Sequence, residues 1–147
     1  MELDEAVSAA RTNRNSTLTT IRRDGRPQLS NVIHTVDDNG LIRISTTAGR
    51  AKARNLARDP WAALHVNGPD FFSYAVLEGE AELSDVAASV DDAVVAELVD
   101  LYRDAVGEHD DWDNYRRAMI DEQRLVIRFR PSRAYGALGG LPPASGS

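Results

Sequence analysis

The sequence predicts a mainly β protein of the α+β class, in which about six antiparallel strands close into one small barrel with peripheral helices. Two turn signals, Asp24-Gly25 and Asn39-Gly40, each join segments that alternate apolar and polar residues, as in a β-hairpin. A short helical pattern over residues 50–58 interrupts the strands and ends before Asp59-Pro60. A small chain dominated by hairpins favours an antiparallel sheet, and a sheet of this size tends to close on itself.

Each further element follows from its own periodicity. Apolar residues at helical spacing predict a helix over residues 3–12, and the two turns divide residues 16–47 into three strands. We expect strands at residues 61–66, 71–83 and 124–136, with a bulge at Gly79 in the second. Helical periodicity runs for about 20 residues after Ser84, and Asp110 or Asp111 caps a second short helix that contains Trp112 and Met119. Residues 1–137 are expected to form a single domain, and residues 138–147, rich in Gly, Pro and Ser, a flexible tail.

Composition excludes several classes of function. The chain has 147 residues, which suits one domain, and it contains no cysteine for a disulfide or a thiolate site. Its net charge of −6 argues against binding to nucleic acid through phosphate neutralisation. The acidic N-terminus does not resemble a signal peptide, and no apolar stretch is long enough to span a membrane. We therefore expect a soluble cytoplasmic protein with no nucleic-acid or membrane partner.

Familiar catalytic and metal-binding motifs are missing. There is neither a GxGxxG nor a GxxxxGK[ST] loop. The three histidines, His34, His65 and His109, are far apart in sequence and have no metal-ligand spacing. We expect His34 and His65 at the edge of the core or at the surface, His109 in a loop, and no metal site.

Cations are concentrated at the start of the mid-chain helix. Arg50 and Lys52 lie where the positive end of the helix dipole disfavours them, and Arg50 and Arg54 form a like-charge i,i+4 pair. A bound anion relieves both penalties, since the unpaired N–H groups of a helix N-terminus also attract anions. A solvated helix face explains the same residues, so composition and spacing leave both interpretations open.

Four segments in a fixed order carry a resemblance to a known family: DGRPQLSNV at 24–32, Ser45-Thr46-Thr47, RAKARNLARDP at 50–60 and FFSYAVLEGEAEL at 71–83. Together they resemble the pyridoxamine 5′-phosphate oxidase-like split β-barrel superfamily, and most of all its actinobacterial F420-dependent flavin/deazaflavin oxidoreductase B group. The similarity extends over nearly the whole chain, including residues 101–119 and 134–136.

The resemblance implies a six-stranded FMN-binding split barrel that forms a homodimer with cofactor sites at the interface. Its R-x-K motif, which holds the cofactor phosphate, falls on Arg50 and Lys52 with Ala51 between them, and Ser45 and Thr47 are expected to supply hydroxyl groups. The other expected cofactor contacts are Gln28, Ser30 and Asn31 at the ring edge, and Ser73 and Tyr74 at the cofactor site or the substrate mouth. Relatives often have Trp where this chain has Phe72, which removes any indole-specific contact.

The function implied is hydride transfer from reduced coenzyme F420 to an electron-poor small molecule. Such a cofactor carries the reactivity itself, which agrees with a chain that shows no obvious catalytic acid, base or nucleophile. Tyr74 and a bound water are the two candidates for delivering the accompanying proton. An FMN-dependent oxidase or reductase, and a cofactor- or tetrapyrrole-binding protein without turnover, are the alternatives.

Overall fold

The structure, a computed structural model, describes residues 1–139. Within this range the elements are α1 (Leu3–Thr12), β1 (Asn15–Ile21), β2 (Pro27–Ile33), β3 (Thr35–Val36), β4 (Ile42–Thr47), α2 (Ala51–Arg58), β5 (Trp61–Asn67), β6 (Tyr74–Leu83), α3 (Ala93–Ala105), α4 (Trp112–Asp121) and β7 (Arg124–Ala137). Most of the tail expected at 138–147 lies outside the described residues. No helix in the described part is long and apolar enough to cross a membrane.

One antiparallel sheet has the strand order β2-β1-β5-β6-β7-β4-β3. The strands at its two ends, β2 and β3, are neighbours along the chain and are separated only by His34. Because one continuous segment forms both ends of the sheet, the sheet must curl into a barrel. Both predicted hairpins are present, and Gly25 and Gly40 each have a φ of +85°, which a side chain would disfavour.

The predicted number of strands, six, is corrected to seven, because His34 breaks one predicted strand in two. The main-chain N–H of His34 donates to the Arg14 carbonyl, and its imidazole turns into the core. There Nε2 donates to the Ala10 carbonyl (2.8 Å), so Nδ1 accepts from the Ser16 hydroxyl (2.7 Å). Burial lowers the pKa of His34, which favours the neutral ring. The expectation that His34 lies at the core edge or the surface is therefore wrong.

Two apolar clusters surround the sheet. The barrel interior contains fully buried side chains from every long strand except β2, among them Leu18, Ile44, Leu64, Leu77 and Phe129. A second cluster joins α3 and α4 to the outer face of β7 through residues such as Leu98, Met119 and Val126. The helices α3 and α4 therefore form a layer outside the barrel, beside the strand pair β4–β7.

One helix boundary differs from the prediction, and one predicted irregularity of a strand is present. The first helix after Ser84 begins only at Ala93, because the Asp92 carboxylate accepts hydrogen bonds from the N–H groups of Ala88, Ser89 and Val95 and folds the preceding residues into a loop. The bulge predicted at Gly79 is confirmed by a shift in the β6–β7 register after Glu78. At that position a Cβ would overlap the Arg130 carbonyl, so the close approach of β7 requires glycine.

Candidate functional site

A cleft of about 1080 Å³ lies where β4 ends and α2 begins. The ends of β1, β2 and β5 form one side of the cleft, and α3 and α4 form the other. Loop and strand-end residues therefore meet a helical wall, and the volume is slightly above the usual range for a small-molecule site.

Three cations converge on one end of the cleft. Arg50 immediately precedes α2, Lys52 belongs to its first turn, and Arg124 begins β7 directly opposite Thr47 in the sheet register. Burial, followed by the charges of Arg50 and Arg124, lowers the pKa of Lys52. The ammonium group of Lys52 thus lies in a site that disfavours a further positive charge and favours a negative one.

Little in the described part of the chain neutralises these cations. Within residues 1–139, neither Arg50 nor Lys52 forms an ion pair, while Arg124 pairs with Glu122 at 2.9 Å. The helix α2 has no side-chain hydrogen bond at its N-cap and no acidic residue in its first turn. Its first N–H groups and its dipole therefore add to the positive potential of the three side chains.

Hydroxyl and amide groups add to the polar lining of the cleft. Ser45 and Thr47 both line the cleft, and Ser45 Oγ lies 3.5 Å from Nη1 of Arg124. Ser30 and Asn31 line the side formed by β2, where Asn31 Oδ1 accepts a hydrogen bond from the Thr17 hydroxyl (3.1 Å). Six residues singled out from the sequence thus meet in one cleft, namely Ser30, Asn31, Ser45, Thr47, Arg50 and Lys52.

Two of the other predicted contacts face a different pocket. Gln28 and Ala51 border a pocket of about 480 Å³ on another side of α2, together with Arg54. There Gln28 accepts a hydrogen bond from the Asn55 side chain (3.1 Å), and Asn55 is itself buried. The polar group of Gln28 therefore helps to attach α2 to the hairpin and does not line the main cleft.

Ser73 and Tyr74 also lie outside the lining of the main cleft. Ser73 is fully buried, and its hydroxyl donates to the Asp70 carboxylate (3.0 Å). The same carboxylate accepts from the main-chain N–H of Phe72, so this segment is a turn, and the strand predicted to start at residue 71 starts at Tyr74. Tyr74 stacks on His65, which does line the cleft, with ring centroids 5.5 Å apart.

Several cleft residues were missed from the sequence. Arg124 looked like an ordinary first residue of a strand, and only its pairing with Thr47 places it beside the helix start. The helical side of the cleft contains Tyr102 and Tyr115, which contact each other at 5.0 Å between ring centroids. Burial raises the pKa of Tyr115 to about 12, and its hydroxyl donates to the Leu98 carbonyl (3.0 Å). The two helices predicted after Ser84 place these rings on helices, but the sequence pattern does not place them at the cleft.

A split antiparallel barrel with a cationic cleft at the start of its flanking helix defines the class of the protein. The chain belongs to the pyridoxamine 5′-phosphate oxidase family, whose profile matches residues 3–137, and the predicted resemblance is thereby confirmed.

Known structures share this fold. An F420 reductase is 23% identical, with 87% of this chain and 94% of that chain covered and a TM-score of 0.66. A conserved hypothetical protein from Mycobacterium tuberculosis is 24% identical (95% and 93% covered, TM-score 0.69). A heme storage protein from Vibrio cholerae is 15% identical (92% and 95% covered, TM-score 0.62). At these identities the likeness establishes the fold and leaves the ligand to be argued from the cleft.

Proposed function

We propose that this protein is a coenzyme F420-dependent reductase, which binds the cofactor in the main cleft and reduces an electron-poor small molecule. The observation that carries the proposal is the set of three cations, Arg50, Lys52 and Arg124, around an uncapped helix start with a single carboxylate nearby. Such an arrangement is unfavourable by itself and becomes favourable when a phosphate group binds. Membership of the family and the fold shared with an F420 reductase support the choice of cofactor.

The residues of the cleft fit a tricyclic ring joined to a phosphate. Arg50 and Lys52 would hold the phosphate, and the hydroxyl groups of Ser45 and Thr47 would contact it or its linker. Ser30 and Asn31 lie on another side of the cleft and present polar atoms suited to the edge of the ring. Gln28, Ala51 and Ser73 do not line the main cleft, and their contact with the cofactor stays a prediction.

The chain's own part in the reaction is to bind, orient and exclude water. When bound, the reduced deazaflavin supplies a hydride, and the protein needs no nucleophile of its own. Tyr102 and Tyr115 cover the helical side of the cleft and reduce the access of water to it. Tyr74 stacks on His65 at the margin of the cleft and stays the candidate for delivering the proton.

Two other ligands suit particular features of the same cleft. FMN carries a phosphate that would occupy the same cations, so the phosphate site is common to both flavin-type cofactors. A tetrapyrrole would find an imidazole in the cleft at His65, and a protein of the same fold stores heme. The experiment below includes both ligands.

We also propose that the protein acts as a homodimer. No residue of β2 is fully buried, and its outward-facing Leu29 and Ile33 are 61% and 55% exposed. Tyr135, on the same outer face of the sheet, is 52% exposed. A second copy packed on this face would bury these apolar side chains and would lie beside the Ser30–Asn31 side of the cleft.

Native mass spectrometry with F420, FMN and hemin tests the proposal. We expect a dimer that retains one F420 per chain, and fluorescence titration should show that Arg50→Ala with Lys52→Ala weakens binding by about 100-fold or more, since two charge-assisted contacts are lost. The control, Arg117→Ala with Arg130→Ala, removes two exposed cations that do not line the cleft and should bind as the wild type does. Retained affinity in the Arg50/Lys52 variant would refute the phosphate assignment. Preferential retention of FMN or hemin would show that this ligand, and not F420, is bound in the cleft.

A further inference from the structure

We infer that Arg124 is the third cation of the anion site and that Glu122, its ion-pair partner, sets the charge preference of the site. This inference deepens the function proposed above, because it concerns the same cleft. It predicts that Glu122 disfavours a dianionic phosphomonoester more than a monoanionic phosphodiester.

The turn between α4 and β7 rests directly on the segment that leads into α2. The main-chain N–H of Ala48 donates to the Gln123 carbonyl (2.9 Å), and Gln123 has a φ of 53°, so the turn is tightly formed. This contact places Glu122 and Arg124, on either side of Gln123, next to the end of β4. The two charged residues are thus held at the cationic end of the cleft by main-chain hydrogen bonds.

Arg124 contacts the groups that surround the cationic end. One guanidinium nitrogen, Nη1, lies 3.5 Å from Ser45 Oγ, and another, Nη2, lies 2.9 Å from Glu122 Oε1. Its charge also lowers the pKa of Lys52, which places the two cations within electrostatic range of one another. An anion bound by Lys52 is consequently attracted by Arg124 as well.

Glu122 is the single acidic residue that lines the cleft within the described part of the chain. It reduces the formal charge of the cationic end from three positive charges to two. Its side chain is 45% exposed, so solvent weakens its pair with Arg124 and the carboxylate still repels an incoming anion. Coulomb repulsion is proportional to the charge of the ligand. The carboxylate of Glu122 therefore repels a dianion with about twice the energy with which it repels a monoanion.

This charge dependence bears on the choice of cofactor. The phosphate of FMN is a monoester that carries close to two negative charges near neutral pH, whereas the phosphate of F420 is a diester with one. Glu122 therefore shifts the balance of affinities toward the deazaflavin. In this respect it is a specificity-determining residue that does not have to touch the ring.

Thermal stabilisation by two small anions tests the charge preference without a cofactor. The probes are inorganic phosphate at pH 8, which is mainly a dianion, and dimethyl phosphate, which is a monoanion. We expect Glu122→Gln to strengthen binding of phosphate by about tenfold and of dimethyl phosphate by about threefold, and Arg124→Gln to weaken both. Asp121→Asn is the matched control, because Asp121 is exposed, adjacent in sequence and absent from the cleft lining, and it should change neither affinity.

The outcomes separate this inference from the proposed function. An unchanged phosphate-to-dimethyl phosphate ratio in Glu122→Gln would overturn the inference even if F420 binds to the wild type. Weaker binding of both anions by Glu122→Gln would also overturn it, since Glu122 would then be holding Arg124 in place for the ligand. If the ratio changes as expected while neither F420 nor FMN binds, the charge preference stands and the proposed function fails.

Discussion

Two groups of cations lie on the same face of the strand pair β4–β7 and differ in what surrounds them. In the middle of the pair, Arg43 and Arg128 are direct cross-strand neighbours. At the end of the pair, Arg124 lies opposite Thr47, next to Lys52. The alternation of a β-strand places Arg43, Arg124 and Arg128 on one face, so the sheet itself does not distinguish Arg124 from the middle pair.

The middle group is neutralised by carboxylates from α3 and β6. Glu97 receives hydrogen bonds from Nε and Nη2 of Arg128, the shorter at 2.6 Å, and lies 3.7 Å from Arg43. Asp104 and Glu82 add longer pairs at 3.6 and 3.7 Å. The end group has Glu122 alone. We conclude that the neutralised group attaches α3 to the sheet, whereas the end group keeps an excess of positive charge that can attract an anion.

The pKa shifts of the two groups have opposite directions. Hydrogen bonds to Glu97 raise the pKa of Arg128, while burial and neighbouring cations lower the pKa of Lys52. A positive charge is thus stabilised in the middle of the strand pair and destabilised at its end. Three predictions test this difference, in order of decreasing effect.

The largest effect is expected from removing the charge of Glu97. Glu97→Gln leaves Arg43 and Arg128 with only distant or exposed partners, and Glu97 itself is only 16% exposed. We expect the free energy of unfolding to fall by about 3 kcal/mol, the lower end of the range for breaking a buried ion pair. Urea denaturation measures the change. The control is Glu80→Gln, at an exposed site on β6, and equal stability of the two variants would contradict the assigned role of Glu97.

A smaller change of opposite sign is expected at the end of the strand pair. Arg50→Gln with Lys52→Gln removes charges that oppose the α2 dipole and repel each other, so the ligand-free protein should gain about 0.5 kcal/mol in free energy of unfolding. Urea denaturation in buffer without phosphate or sulfate provides the measurement. A loss of stability greater than about 0.5 kcal/mol would show that these side chains support the fold.

The smallest effect is a change in the titration of Lys52, the only lysine in the sequence. Lysine labelled with carbon-13 at Cε gives one side-chain signal, whose pH dependence reports this pKa directly. We expect a midpoint below the ordinary value of 10.5, a rise when inorganic phosphate binds, and a rise in Arg50→Gln. Between the lowered pKa and 10.5 the unfolded chain binds more protons, so the stability of the ligand-free protein should increase with pH in that window. A midpoint at or above 10.5 would mean that an acid compensates Lys52.

Much of the fold was predictable because its signals are local. The turns at Gly25 and Gly40, the bulge at Gly79 and the helix over residues 51–58 each follow from a few neighbouring residues. The break at His34 was not predictable in this way, since its cause is a pair of hydrogen bonds to residues that are 18 and 24 positions away. Similarly, α3 begins only at Ala93 because the Asp92 carboxylate accepts hydrogen bonds from the main chain of the residues before it.

The candidate site was predictable where it is built from one segment. Arg50, Lys52, Ser45 and Thr47 are close in sequence, and the conflict between charge and helix dipole indicated them directly. Arg124 reaches the cleft through strand pairing, and Tyr102 and Tyr115 reach it through helix packing. The sequence pattern specifies neither. Phe71 and Ser73 illustrate the opposite error, because a run of apolar and aromatic residues suggested a strand where Asp70 forms a turn.

The pairing of β4 with β7 also determines when in folding the cleft can exist. Ser45 and Arg124 are 79 residues apart in sequence, and most of the chain must be synthesised and ordered before they meet. Contacts between residues so far apart in sequence form slowly, because the intervening chain must first lose conformational entropy. A fragment that ends before β7 contains the proposed phosphate-binding segment and Glu122 but lacks Arg124. An anion that binds only to the assembled cleft therefore reports complete folding, and its binding stabilises the whole molecule.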